Sequence, residues 1–153
     1  MRRSDLGLLT LRLATGAVLA AHGLPKLAGG PDSSPPGWLD RLLGTNYASA
    51  WEKSGTEAFA TNLGRMGVPM PGLAAHASTW AELGGGLALA AGVATPLASA
   101  AAVANMAVAV RGAHWKTGFY GAGGYEFPLL IGVAAAAIGL IGPGRLSVDQ
   151  LFK

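Results

Sequence analysis

The stretch Leu6–Leu27, LGLLTLRLATGAVLAAHGLPKL, decides the fold class of this chain. At 1.5 Å per residue, a helix of this length spans the roughly 30 Å hydrocarbon core of a bilayer. Arg12 and His22 interrupt the apolar run. A charged side chain in hydrocarbon costs roughly 2.5–3.5 kcal/mol on insertion scales, so it persists where it faces a bundle interior and has a partner. The stretch therefore predicts a membrane-spanning helix with a polar inner face.

Three further apolar segments follow, at about Leu73–Val93, Pro96–Gly112 and Tyr125–Ile141. The very tight Thr95-Pro96 turn makes the second and third helices antiparallel neighbours. We therefore predict an all-α fold, a membrane-embedded antiparallel four-helix bundle in which residues 1–153 form a single domain with both termini on one side. A soluble helical bundle is the alternative, because the later segments are short or broken by polar residues.

The composition favours the membrane. Residues are 51% hydrophobic and only 12% charged, whereas soluble domains carry about 25% charged residues. We assign the net charge of +3 to the rims of the bundle rather than to nucleic-acid binding. The chain has no cysteine, so any thiol or persulfide step would have to occur on a partner protein.

Residues 29–71 form a long polar insert between the first two spans, and the segments from Trp38 to Leu43 and from Glu57 to Met66 predict two short helices in it. We expect these helices to lie on the membrane surface, where aromatic residues such as Trp38, Tyr47 and Trp51 anchor well. A mobile soluble loop is the alternative.

The orientation depends mainly on the first helix. Arg2 and Arg3 precede it, and positive charges before the first span usually keep that end inside the cell. We predict a multi-pass protein of the cell membrane with cytoplasmic termini. Cleavage of Met1–Ala21 as a secretory signal is the less favoured alternative, because Arg12 interrupts the apolar core such a signal needs.

Antiparallel threading sorts the polar residues by depth. His22, His114 and Glu126 come to the rim on the side of the long insert, and Glu82 lies about two turns deeper. We predict that His22, Glu82 and Glu126 line one cavity roofed by the insert, and that Glu82 pairs with Arg12 or another interior donor. The candidate substrate- or cofactor-binding residues are His22, Glu82, Glu126, Arg12, Asn105 and His114.

Each candidate also has a structural interpretation. Arg12 and Glu82 would then only hold the bundle together, and the histidines would bond backbone carbonyls. Asn105 and His114, nine residues apart, lie on opposite faces of a straight helix and can share a site only if the helix breaks near Gly112. Two histidines at one depth could ligate haem or, with Glu126, a metal; no supporting pattern surrounds them, so haem and metal are disfavoured.

Motifs spread over most of the chain outside residues 29–58 form an ordered set. They are Arg12-Leu13, His22-Gly23-Leu24-Pro25-Lys26-Leu27, Ala81-Glu82-Leu83-Gly84-Gly85-Gly86 with Gly92 and Thr95-Pro96, Asn105-Met106-Ala107-Val108-Ala109, His114, Gly118-Phe119, Gly124-Tyr125-Glu126, and Gly142-Pro143-Gly144 with Ser147 and Asp149. This set resembles the DoxX family of small four-helix membrane proteins. The resemblance implies a redox-linked function, since some relatives are associated with thiosulfate oxidation coupled to quinone reduction. Others are thought to join membrane complexes with a superoxide dismutase and a sulfurtransferase during oxidative stress.

Three functions are compatible with these residues. The first is a subunit of a quinone-linked oxidoreductase, in which His22, His114 and Arg12 donate hydrogen bonds to the quinone and Glu82 or Glu126 relays protons. The second is a non-catalytic membrane anchor whose insert docks a soluble redox enzyme. The third is a small-molecule carrier. The expected partners are the lipid bilayer in every case, a soluble redox enzyme or a second copy of the chain as protein partner, and no nucleic acid.

Overall fold

The computed structural model describes residues 3–152, and among these every regular element is a helix. This confirms the all-α class. Arg2 and Lys153, which enter the predicted orientation and the common side of the termini, lie outside the described residues. The α-helices are α1 (Arg3–Ala28), α2 (Gly37–Leu43), α3 (Thr45–Glu52), α4 (Thr56–Arg65), α5 (Pro71–Ala91), α6 (Thr95–Val108) and α7 (Glu126–Ile141), with a π-helical turn at Ala109–His114 and 3₁₀ turns at Trp115–Thr117 and Val148–Phe152.

Backbone packing divides the chain into two compact units. The first consists of Met1–Ala20 with Ala81–Lys153, and the second of Ala21–Trp80. Both α1 and α5 contribute residues to each unit. That residues 1–153 form a single domain stays a prediction.

In the first unit, α1 and α5 cross at two glycines that leave no room for side chains. A Cβ atom on Gly86 would lie 2.7 Å from the Gly16 carbonyl oxygen and 2.8 Å from the Ala20 nitrogen. A Cβ on Gly16 would in turn overlap the backbone of Gly86 and Ala90. Such contact between backbones is the kind of packing that holds membrane helices together, where lipid supplies no hydrophobic force between them.

Helix α7 packs along α6 through its small residues. Gly132 lies against Met106 and Gly139 against Ser99, so the two helices run in opposite directions. The hydrophobic core of this unit is formed by Leu8, Leu19, Leu89, Ala98, Ala102, Met106, Ile131, Ala135 and Ile138.

Within residues 3–152, two helical segments are long and apolar enough to cross a membrane, namely Arg3–Ala28 and the continuous segment Thr95–Thr117. Helix α7 is a shorter apolar helix. Its outward side chains include Phe127, Leu130, Val133 and Leu140, all largely exposed in the isolated chain. An exposed apolar face of this kind is typical of contact with lipid.

The second unit contains the insert, which has three helices where the sequence predicts two. The additional helix is α3, whose sequence TNYASAWE is mostly small and polar and in which Trp51 is buried. The end of α1 is held against this helix. Gly30 donates a hydrogen bond to the Trp51 carbonyl (3.0 Å) and Gly55 to the Pro25 carbonyl (3.1 Å), so the backbone of the insert satisfies groups at the end of α1.

Candidate functional site

A hydrogen bond between two polar side chains joins α5 to α6. The Asn105 amide donates from Nδ2 to Glu82 Oε1 at 3.0 Å, and the Glu82 side chain is only 4% exposed. A Cβ on Gly85, near Glu82 on α5, would lie 3.8 Å from the Ala98 carbonyl oxygen of α6, so the two helices pack against each other at this level with room for a small side chain. Glu82 therefore faces the interior with Asn105 as a donor, which is the second of the two predicted alternatives.

Arg12 occupies a different place from the predicted one. Its guanidinium donates through Nε to the Leu89 carbonyl (3.1 Å), through Nη2 to the Ala90 carbonyl (3.0 Å), and through Nη1 to the Pro143 carbonyl. Leu89 and Ala90 are in the last turn of α5, whose carbonyls have no partner within the helix. Arg12 thus caps the carboxyl end of α5, where a cation also interacts favourably with the helix dipole.

The expected Arg12–Glu82 pair is replaced by these contacts. Glu82 precedes Leu89 by seven residues on α5, which is roughly 10 Å along a helix. The buried guanidinium, 1% exposed, finds its acceptors at the end of the helix instead. Backbone carbonyls can supply a buried arginine with hydrogen bonds as well as a carboxylate can, and residue types alone do not reveal which acceptor is nearer.

Asp149 is the residue that the sequence-based site omitted. Its carboxylate accepts hydrogen bonds from the backbone nitrogens of Ala94 (2.7 Å) and Thr95 (2.9 Å) and from Thr95 Oγ1 (2.8 Å). These groups lie at the amino end of α6, so Asp149 serves as an N-cap supplied from the chain terminus. It also acts on Arg12 as an opposite charge. The predicted topology could have indicated this contact, because it places Asp149 and the α5–α6 turn on the same side of the bundle.

His114 and Glu126 fix the loop between α6 and α7. His114 Nδ1 lies 2.8 Å from the Gly123 carbonyl oxygen, and Glu126 Oε1 accepts a hydrogen bond of 3.2 Å from the Gly121 nitrogen. Both contacts are with the backbone of the glycine-rich segment 121–124. His114 and Glu126 therefore hold the loop backbone in place at this end of the unit.

A π-helical turn lies near Gly112, where a helix break would be needed for Asn105 and His114 to share a site. It covers Ala109–His114 and follows directly on α6. A π-helical turn shifts the phase of the residues that follow it, and such turns are frequent at functional sites. Even so, Asn105 contacts Glu82 while His114 contacts Gly123, so the structure does not bring Asn105 and His114 to a common partner.

A sequence model of the DoxX family matches residues 7–115, more than half of the chain. The chain belongs to the DoxX family. This confirms the resemblance carried by the motifs. Comparison with curated proteins and with solved structures gave no match. Together with the apolar helices, the family indicates a membrane protein.

The DoxX match includes five of the six candidate residues and ends before the sixth. Glu126 and the capping residue Asp149 lie beyond residue 115. Among the five, His22 belongs to the second unit and its side chain is exposed, while the other four belong to the first unit. The cavity predicted for His22, Glu82 and Glu126 stays a prediction.

Proposed function

We propose that this DoxX protein is a multi-pass protein of the cell membrane, an antiparallel four-helix bundle with cytoplasmic termini, that binds a quinone at Glu82 and Asn105 as a subunit of a membrane redox system. The observation that carries the proposal is the hydrogen bond between a buried carboxyl group and an amide on neighbouring apolar helices. Polar groups at such depth are costly and are retained mostly where they serve substrates, ions or protons.

The donor set suits a quinone carbonyl. One N–H of the Asn105 amide is directed at Glu82, and the same nitrogen carries a second hydrogen that can be donated to a ligand. Glu82 is a titratable group beside that amide, so in its protonated form it can deliver a proton to a reduced quinone oxygen. Reduction of a quinone to the quinol takes up two electrons and two protons. The electrons are supplied by a partner protein, which in a sulfur-oxidising system also carries the thiol chemistry, since this chain has no cysteine.

The membrane placement of this site is supported by the exposed side chains of the same unit. Leu13 on α1, Leu97 on α6 and Leu140 on α7 are all largely exposed, whereas the polar pair is turned inward. A buried polar pair behind an exposed apolar surface suits a protein whose solvent is lipid.

A second function, the non-catalytic membrane anchor for a soluble redox enzyme, is favoured by a different observation. Arg12, His114 and Glu126 all contact backbone groups of their own chain. Side chains used in this way hold helix ends and loops in place and need no ligand to explain them.

The quinone-binding function and the anchor function can be distinguished by measuring the affinity of an isotopically labelled short-chain quinone for the purified protein in lipid nanodiscs at equilibrium. Asn105→Leu removes both the donor and the partner of Glu82 and should lower the affinity at least about tenfold, as expected for the loss of a hydrogen bond to a charged or polar ligand group. Glu82→Gln retains an acceptor for Asn105 and should lower the affinity less while removing proton transfer.

Ser99→Ala is the matched control, because Ser99 is a buried polar residue of the same helix whose Oγ has no hydrogen-bond partner in the described part of the chain. It should bind quinone as the wild type does. If the wild type fails to bind quinone in a saturable way, or if all three variants bind normally, the anchor function takes the place of the quinone site.

A further inference from the structure

The segment joining α6 to α7 carries a cluster of aromatic rings at the end of an apolar helix. Trp115 stacks on Tyr125 with ring centres 5.2 Å apart, and Phe119 meets Tyr125 edge-on at 5.4 Å. The guanidinium of Arg111 lies over the Trp115 ring at 5.9 Å. Each of these arrangements is a favourable aromatic or cation–π geometry. We call Arg111, Trp115, Phe119, Tyr120 and Tyr125 with Lys116 the aromatic loop cluster.

The backbone beneath the aromatic loop cluster is fixed. Tyr125 donates to the Gly118 carbonyl (3.0 Å) and Glu126 to the Phe119 carbonyl (3.1 Å), in addition to the contacts of His114 and Glu126 with the glycine segment. A Cβ on Gly124 would overlap the Phe119 and Tyr120 backbone, so this turn is closely packed. The cluster is therefore a preformed surface, and binding to it does not require ordering of a flexible loop.

Despite this order, the rings are exposed. Trp115 and Phe119 are each about half exposed and Tyr120 is 84% exposed. Rings with an apolar body and a polar tip are enriched where one side of a residue contacts hydrocarbon and the other contacts water. The cluster begins inside the helical segment Thr95–Thr117, which is long and apolar enough to cross a membrane, so it lies where that segment would leave the bilayer.

The charge of the segment indicates which kind of ligand would bind to the aromatic loop cluster. Residues 109–126 contain two cations, Arg111 and Lys116, and one carboxylate, that of Glu126, which accepts a hydrogen bond from the Gly121 nitrogen. Both cationic side chains are exposed. Arginine and lysine at this position bind phosphate oxygens, while their aliphatic stems lie along apolar surface. A zwitterionic headgroup offers the same phosphate without net charge, so excess positive charge favours an anionic lipid.

We propose that the aromatic loop cluster binds the phosphate headgroup of an anionic phospholipid, with Arg111 and Lys116 on the phosphate and the rings at the level between headgroup and acyl chain. The proposal depends on insertion of the chain in a membrane and is independent of quinone binding at Glu82. A lipid bound here would hold the end of α6 and the start of α7 at the membrane surface.

The test uses full-length protein reconstituted in vesicles containing equal parts of phosphatidylcholine and phosphatidylglycerol, followed by native mass spectrometry of the lipids retained after mild extraction. The wild type should retain phosphatidylglycerol in several-fold preference to phosphatidylcholine. Arg111→Gln with Lys116→Gln should remove most of that preference. The matched control, Arg41→Gln with Lys53→Gln, removes the same net charge from exposed residues of the insert and should keep it.

A second measurement does not depend on extraction. Tyr120→Cys places a label on the most exposed ring position of a chain that has no other cysteine. A nitroxide there should show contact with the lipid interface, and raising the salt concentration should weaken the preference for the anionic lipid. Equal retention of the two lipids by the wild type would overturn the proposal. An equal loss of the lipid preference in the control pair would also overturn it, because the preference would then be a property of net charge. A nitroxide at position 120 that lies in bulk water would overturn it as well.

Discussion

Arg12 and Asp149 cap the two helix ends that meet at a single turn. Arg12 donates to the carbonyls of Leu89 and Ala90 at the end of α5, and Asp149 accepts from the nitrogens of Ala94 and Thr95 at the start of α6. The signs are those that the helix dipoles favour, a cation at a carboxyl end and an anion at an amino end. Two residues separated by most of the sequence thereby fix a turn that neither contributes to.

We expect Asp149→Ala to lower the stability of the protein by about 1–3 kcal/mol, since it removes an N-cap and leaves two backbone nitrogens and the Thr95 hydroxyl without their acceptor. Gln150→Ala changes the neighbouring side chain without touching these bonds and should have little effect. Thermal unfolding in detergent measures both. Equal stability of the wild type and Asp149→Ala would show that the cap contributes nothing.

Arg12→Ala should be the most damaging of the charge substitutions, costing on the order of 3–5 kcal/mol, because it empties a buried site and removes the donor to the carbonyls of Leu89, Ala90 and Pro143. The Leu89 carbonyl still accepts from the Gly92 nitrogen. Arg12→Lys should recover only part of this loss, because an ammonium group does not reproduce the fork of a guanidinium. Glu82→Gln retains an acceptor for Asn105 and should be milder than either. Denaturation of the three variants side by side gives the order, and a loss for Glu82→Gln as large as for Arg12→Ala would be inconsistent with separate sites.

Two adjacent glycines of α5 should respond in opposite ways to alanine. At Gly86 the new Cβ would lie within 2.9 Å of three atoms of α1, whereas at Gly85 the nearest atom is 3.8 Å away. Gly86→Ala should therefore separate α1 from α5 and cost several kcal/mol. Gly85→Ala should be neutral or stabilise by up to about 1 kcal/mol through helix propensity. Expression and melting temperature of the pair provide the measurement, and equal effects would contradict the crossing at Gly16.

The buried Tyr47 of the insert should make the stability of the protein depend on pH in the alkaline range. Its hydroxyl is buried with no hydrogen-bond partner in residues 3–152, and burial raises its pKa above the ordinary value of 10.0. A group whose pKa is raised on folding stabilises the fold fully below the unfolded pKa, and that contribution is lost as the pH rises through the folded value. Wild-type stability should thus fall above about pH 10.

Tyr47→Phe should remove part of that fall and leave stability at neutral pH within about 1 kcal/mol of the wild type, because no hydrogen bond is lost. The control is Tyr120→Phe, whose hydroxyl is on an exposed ring and should leave the pH profile unchanged. Melting curves at neutral pH and above pH 10 make the comparison. A neutral-pH loss of several kcal/mol in Tyr47→Phe would mean that the hydroxyl has a partner after all.

The fold could be predicted well wherever apolar length decides it. The α1, α5 and α7 segments agree with the sequence to within a few residues, because Gly and Pro mark their ends. α3 was not predicted, since six of its eight residues are small or polar and its large apolar side chains are confined to Tyr47 and Trp51. The π-helical turn was also invisible in the sequence, whose spacing indicated only that Asn105 and His114 could share a site if the helix broke near Gly112.

The sequence predicted which polar residues are buried but not which groups they bond. The cost of buried charge identifies Arg12 and Glu82 as interior residues, and both are buried. It does not say whether the partner of a buried charge is a side chain or a backbone carbonyl, and for Arg12 it is three carbonyls. Helix ends supply these acceptors, and their position depends on where α5 stops.

Photolabelling can detect a quinone bound beside Glu82 and Asn105. A quinone carrying a diazirine on its ring is bound to the protein in nanodiscs and irradiated, and its attachment sites are mapped by peptide mass spectrometry. We expect labelling of α5 near Glu82 and of α6 near Asn105, suppressed by excess unlabelled quinone and absent in Asn105→Leu. Labelling confined to the exposed face of α7, at residues such as Leu130 and Leu140, or labelling that excess quinone does not suppress, would rule out a quinone site at Glu82 and Asn105.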